Sequence, residues 1–156
     1  MSAIKKRLAE LGFTLPPPAP AVALYVPYVV TGNLAFISGQ IPLENGQVKL
    51  TGRLGAEVDL AAGQKAAQLC ALNILAQLNK ACGGDLDRVK RCVKLGGFVA
   101  SAPDFFDHSK IINGASDVMQ QVFGETGRHA RFAVGVSTLP LNSAVEVDAV
   151  FEINPA

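Results

Sequence analysis

Few side chains in this sequence are equipped for chemistry. There are two histidines, His108 and His129, no tryptophan, and three cysteines. The histidines show no paired ligand spacing, so no metal site is expected. The chain lacks a P-loop, a Gly-x-Ser-x-Gly elbow, a His-Glu-x-x-His run and a Gly-x-Gly-x-x-Gly turn, which leaves nucleotide, serine-hydrolase and metalloprotease chemistry without support. Arg131 stands out instead. Strand alternation puts Arg131, Ala133, Gly135 and Ser137 on one face and Phe132, Val134, Val136 and Thr138 on the other, the expected core side. Arg131 then overlooks a row of small residues that leaves room for a ligand or a subunit. Its guanidinium is a rigid fork suited to a carboxylate; the plainer reading is an exposed arginine or a structural ion pair.

The C-terminal stretch alternates as cleanly. Val145, Val147, Ala149, Phe151 and Ile153 face one way, and Glu146, Asp148 and Glu152 the other. This is either a solvated acidic face or, with Glu146 beside Arg131 across a hairpin, a place to move protons. Ser38-Gly39-Gln40-Ile41-Pro42 closes another strand, where Gly39 lets a ligand approach the backbone. Tyr25 and Tyr28 are the only tyrosines, each suited to a core ring with its hydroxyl at the rim. Cys70, Cys82 and Cys92 read as small buried hydrophobes. Cys70 and Cys82 on one helix would lie about 18 Å apart, too far for a disulfide.

The elements that must position these residues follow from periodicity and punctuation. Ser2 to Leu11 reads as a short capped helix stopped by Gly12, and Pro16, Pro17, Pro18 and Pro20 as a stiff extended connector. Residues 1–20 thus form an N-terminal arm, and residues 21–156 the domain. Strands are expected over Leu24 to Val30 and Leu34 to Ser38, joined at Thr31-Gly32-Asn33, with a short edge strand at Val48 to Leu50. Asp59 to Ala81 is a long helix ended by Gly83-Gly84. Val89 to Ser101 is a strand in which Gly96-Gly97 marks a bulge or a close backbone approach. Asp104 to Phe123 is mostly helical with a weak point at Asn113-Gly114, and Phe132 to Thr138 and Ala144 to Ile153 complete the chain as strands joined at Leu139 to Asn142. The order predicts a two-layer α+β domain with its helices on one sheet face.

Composition excludes several classes. The 156 residues suit one domain, and the net charge of +1 argues against a nucleic-acid partner. No apolar run is long enough to span a membrane. The N-terminus is amphipathic and unlike a signal peptide, which with the cysteine pattern points to the cytoplasm. Charged residues make up 17% of the chain, against about 25% in an average soluble domain. The mean hydropathy is +0.29. A domain this small cannot hide so much apolar surface within itself, so part of it is expected to be buried against other subunits.

Gly32-Asn33, Ser38-Gly39-Gln40-Ile41-Pro42, Ala130-Arg131, Leu139-Pro140 and Val145-Glu146-Val147, in this order and spacing, resemble the reactive intermediate deaminase (Rid) family, also called endoribonuclease L-PSP-like. The likeness runs from about Leu24 to Ile153. It implies a chorismate-mutase-like two-layer sandwich, a mixed sheet with two helices on one face, and a homotrimeric barrel with ligand clefts between subunits. It implies hydrolytic deamination of enamines and imines such as 2-aminoacrylate to 2-keto acids and ammonia, with neither metal nor organic cofactor. Carried over, Arg131 holds the substrate carboxylate, Glu146 orients water or moves protons, Tyr25 lines the cleft, and Ser38 and Gly39 present backbone to the ligand. The chain departs from the family where Pro-Ala-Arg-Ser is replaced by His129-Ala130-Arg131-Phe132, where the Asn113 to Phe123 segment is longer, and where the arm is added, features of a longer branch. His129 is placed at the cleft's flank, or in a loop without a role. The competing reading is a trimeric, non-catalytic binding protein for small carboxylates, which the same arginine would serve. A ribonuclease is disfavoured by the missing basic stripe, and a chorismate mutase rests on fold analogy alone.

Overall fold

The computed structural model describes residues 2–21 and 23–156. The first helix, α1 (Ala3–Glu10), starts where expected: the Ser2 hydroxyl accepts from the Lys5 N–H at 3.2 Å. The Asp87 carboxylate adds a second cap, accepting from the Ala3 and Ile4 N–H groups at 2.9 Å each, and these bonds hold its pKa below the ordinary range. Leu8 is buried in the main core, and Arg7 Nε donates to the Gln121 carbonyl at 2.9 Å.

The first strand is shorter than expected. β1 (Tyr28–Thr31) begins only after Pro27, which has no N–H to give a ladder. Leu24, Tyr25 and Val26 are exposed and outside the sheet. β2 (Leu34–Gln40) pairs with β1 through the expected turn, and its register against the last strand shifts between Ile37 and Gln40, so Ser38-Gly39 sits at a bulge. β3 (Leu43–Glu44) and β4 (Gln47–Val48) form a separate small hairpin.

α2 (Leu60–Ala81) matches its expectation: Asp59 caps it by accepting from the Ala62 N–H at 2.8 Å, and its stripe of Ala67, Cys70, Ile74 and Leu78 is fully buried. β5 (Val89–Ala100) follows. Its register shifts lie at Val89/Arg91 and Cys92/Lys94, so Gly96-Gly97 is the close approach and not the bulge. A Cβ on Gly96 would meet Phe132 and Asp148, and one on Gly97 would meet Ile112. α3 (His108–Phe123) begins four residues later than read, after a turn at Pro103-Asp104 and an irregular stretch to Asp107.

Gly114 is not a weak point of α3 but its contact with α2, since a Cβ there would fall on the Gln64 carbonyl. Gly114→Ala gains about 1 kcal/mol of helix propensity yet forces the helices apart, an overpacking cost of about 1–3 kcal/mol. A net loss of about 1 kcal/mol is expected, read as a lower urea midpoint with unchanged slope. An unchanged midpoint would mean that the two helices have slack.

The last two strands, β6 (Ala130–Val136) and β7 (Val145–Ile153), are not a hairpin. The five-stranded sheet runs β1-β2-β7-β5-β6, with β6 parallel to β5 and every other pair antiparallel. The link between them passes the end of β5, turning at Leu141 and Asn142, both at φ 56°. β7 earns the central position by its alternation, five buried residues at every second place. α2 and α3 cover one face, where Leu95, Val99, Val147 and Phe151 meet Ile74, Leu78, Ile112 and Met119. The other face carries Phe36 and Val134, both exposed, beside half-buried Phe98 and Val150. No helix among the described residues is long and apolar enough to cross a membrane.

Candidate functional site

Strand register decides which chemical groups meet. Arg131 lies opposite Leu95, and Leu95 opposite Ala149; Val134 lies opposite Phe98, and Phe98 opposite Glu146. Leu95 is buried beneath the helices, so the pleat turns Arg131 to the helix side and Glu146 to the open face. The expected cross-hairpin pair is therefore overturned: within one chain the two residues point from opposite faces of the sheet. The expected facing of β6 is reversed as well. Arg131, Ala133 and Gly135 lie under α3, where a Cβ on Gly135 would meet His108 and Ser101, while Phe132 stands on the open face, edge to face with Phe98 at 5.3 Å.

Glu146 belongs to a cavity of about 370 Å³ that also includes Tyr25, Gly39, Gln40 and Pro140. Its carboxylate lies across Gly39, where any Cβ would overlap it. The glycine thus makes room for Glu146. Burial raises the Glu146 pKa, and the neighbouring Asp148 raises it further. Asp148 is raised by burial too, against the lowering pull of the Gly96 N–H and Lys94. These two carboxyls are thus half-buried, unlike a solvated acidic face, and both resist ionisation. Ser38 supports the site indirectly: its hydroxyl donates to the Val26 carbonyl at 2.7 Å and its N–H to the Pro27 carbonyl at 2.9 Å, holding the segment that carries Tyr25. Gln40, quoted in a motif but given no role, is buried at the wall and donates to the Ser38 carbonyl at 3.0 Å.

Arg131 occupies the other edge. Its Nη1 donates to Asn113 Oδ1 at 2.9 Å and to Ser116 Oγ at 3.1 Å, and its Nη2 to the Ser109 carbonyl at 3.4 Å. Of five guanidinium N–H donors, this leaves Nε–H and one on Nη2 without a partner among the described residues. Asn113 and Ser116, both on α3, thus orient the arginine. His129 completes the cluster. Its Nδ1 lies 2.7 Å from the Gly127 carbonyl, which only accepts, so Nδ1 carries the proton and Nε2 accepts from the Ser116 hydroxyl at 2.8 Å. Burial lowers the His129 pKa, the Gly127 bond opposes this, and Arg131 lowers it further, which keeps the ring neutral and the relay to Ser116 intact. His129 is thus a positioning group for Ser116 and Arg131.

The three cysteines are free and buried. Burial raises all three thiol pKa values, Cys92 to about 12, which makes them inert packing groups.

Comparison with known proteins agrees with the strand order and the motifs. The model of the family described as "YjgF/chorismate mutase-like, putative endoribonuclease" matches residues 5–153. Protein TCP17 of Trypanosoma cruzi is 49% identical over 152 residues, covering 97% of this chain and 94% of that protein. The crystal structure of Atu1372 from Agrobacterium tumefaciens superposes with a TM-score of 0.91 at 52% identity, covering 97% of this chain and 94% of that one. E. coli TdcF, crystallised with bound serine, superposes with a TM-score of 0.59 at 25% identity over 91% of this chain and 96% of its own. The chain belongs to the YjgF/chorismate-mutase-like family, the Rid group that its motifs resemble, and the mixed sheet backed by helices is that family's α+β fold.

Proposed function

We propose that the protein is an enzyme that hydrolyses reactive enamines and imines of 2-amino acids to 2-keto acids and ammonia. Its site is completed between subunits of a homotrimer. Arg131 of one subunit takes the substrate carboxylate, and Glu146 of the next, with Gly39 and Tyr25, faces the reactive carbon. The observation that carries this reading is the separation of Arg131 and Glu146 onto opposite sheet faces, each a half-site of the kind an imino acid needs. The partly apolar open face, with Val29, Phe36 and Val134 exposed, supports burial against further copies. The serine held by TdcF supports an amino-acid-like ligand.

The chemistry asks little of the protein. An enamine such as CH2=C(NH2)–CO2⁻ takes a proton at its terminal carbon, gives one up from nitrogen and becomes the imine. Water adds to the imine carbon, and the carbinolamine expels ammonia to leave the ketone. Glu146, with its raised pKa, exchanges the protons and orients water, while the Arg131 fork fixes the carboxylate and so the approach to the carbon. The test is clearance of free imine. Amino-acid oxidase generates 2-imino acids, and a nucleophilic trap reports what survives. Wild type is expected to suppress trapping, and Arg131→Ala to lose about 2–3 kcal/mol of charge-assisted binding, roughly 30- to 150-fold in kcat/KM. If wild type clears no imine from any amino acid but still binds 2-keto acids, the protein is a carboxylate-binding protein instead.

A further inference from the structure

The N-terminal arm reaches the cavity that holds Glu146, which is not what an accessory helix would need to do. Ala19, Pro20 and Ala21, at the end of the proline connector, supply part of the lining of that cavity, together with Ile41, Leu43 and Leu141. All six are apolar. The polar side chains at the wall are Glu146, Gln40 and Tyr25, and Gln40 spends an amide N–H on the Ser38 carbonyl. We infer that the arm is a specificity wall, and that the substrate carries an apolar side chain larger than methyl.

Three observations argue this beyond the lining. The wall is fixed at both ends of the arm. At the start, Asp87 caps α1 and Leu8 is buried. At the end, Gln77 Nε2 donates to the Ala19 carbonyl at 2.7 Å. Gln77 is itself almost wholly buried, and its Oε1 has no partner among the described residues. An apolar residue would fill that space without the cost of a buried, unpaired oxygen, so the glutamine is there for the bond it makes to the arm. Between the two anchors, Pro16, Pro17 and Pro18 limit the bends open to the connector, and Pro20 does so just after the second. The wall is therefore rigid before any ligand arrives, the condition for selection by shape. Finally, the cavity within one subunit, before a neighbour adds its side, is about 370 Å³, whereas a three-carbon imino acid displaces roughly four waters, ~120 Å³. The space left over is apolar.

This inference rests on the imine-hydrolase reading, and its test separates the two. Imines derived from alanine and from leucine are compared by kcat/KM, and the leucine-to-alanine ratio is the readout. A ratio within one preparation is insensitive to the fraction of protein that is folded. Wild type is expected to favour the leucine-derived imine. Ala21→Leu, which fills the wall, is expected to lower the ratio about tenfold, the scale on which an apolar pocket discriminates. Ala19→Leu, at the neighbouring wall position, is expected to act in the same direction, and Gln77→Met, which frees Ala19, to lower the ratio by less. A wild type that prefers the alanine-derived imine, or an Ala21→Leu ratio equal to wild type, overturns the wall while leaving the hydrolase standing. If no imine is hydrolysed, the hydrolase falls and calorimetry decides the wall alone. Tighter binding of 4-methyl-2-oxopentanoate than of pyruvate, with the preference lost in Ala21→Leu, sustains it, and equal affinities overturn it.

Discussion

Arg131→Ala and Glu146→Gln chains, each expected to lose about 30-fold or more in activity alone, are expected to recover activity when unfolded together and refolded as a mixture. The reason is the register: the arginine and the glutamate of one chain leave the sheet on opposite faces, and the proposed site draws its arginine from one subunit and its glutamate from the next. In a trimer with both kinds of chain, one of the three sites pairs the intact arginine of one variant with the intact glutamate of the other. Random assembly of an equal mixture makes about three-quarters of the trimers mixed, so about a quarter of wild-type activity returns. A site closed within one chain gives no recovery at any ratio. Mixing the two folded proteins without unfolding controls for slow exchange. Full loss in the refolded mixture, with the trimer mass retained, would rule out the shared site.

The ingredients of this site were legible in the sequence, but their assembly was not. The limits of α2 were marked by Asp59 and Gly83, and the period-two pattern of β7 was strict enough to assign Glu146 to the face opposite Phe151. The pairing of β6 with β7 was misread because neighbouring strands usually pair, and no local feature says that β5 lies between them. The facing of β6 was misread because an edge strand with α3 on one side and Phe98 on the other carries small residues on its helix side, the reverse of the usual rule. Ala133 and Gly135 are small because α3 comes close, as the proximity of His108 to Gly135 shows. Ser116, His129 and Asn113 carry no motif; what joins them to Arg131 is a fold-dependent crossing of helix and strand. The arm's contact with the cavity was hidden for a related reason, since a proline-rich connector reads as a spacer until its end point is known.

Glu146→Gln should also show that the site is held against the preference of the fold. Burial and Asp148 raise the Glu146 pKa above its ordinary value of 4.5. Between that value and the folded one, the folded chain binds more protons than the unfolded chain, so stability falls as pH rises through the window and stays lower above it. The glutamine cannot ionise. It should match wild type below the window, gain an advantage across it, and hold the full advantage at pH 7. Solvent still reaches the carboxyl, so the advantage is discounted to about 0.5 kcal/mol, measured by urea unfolding at pH 4 and pH 7. Asp148, raised mainly by burial, slopes the same way, so the comparison is of each variant with wild type at matched pH. One substitution then removes most of the activity and adds stability, the opposite signs expected of a group kept for chemistry. If the variant is instead less stable at pH 7, the carboxylate is satisfied by a fixed partner in the assembled protein. Glu146 would then be a structural anion, and the proton transfers would need another group.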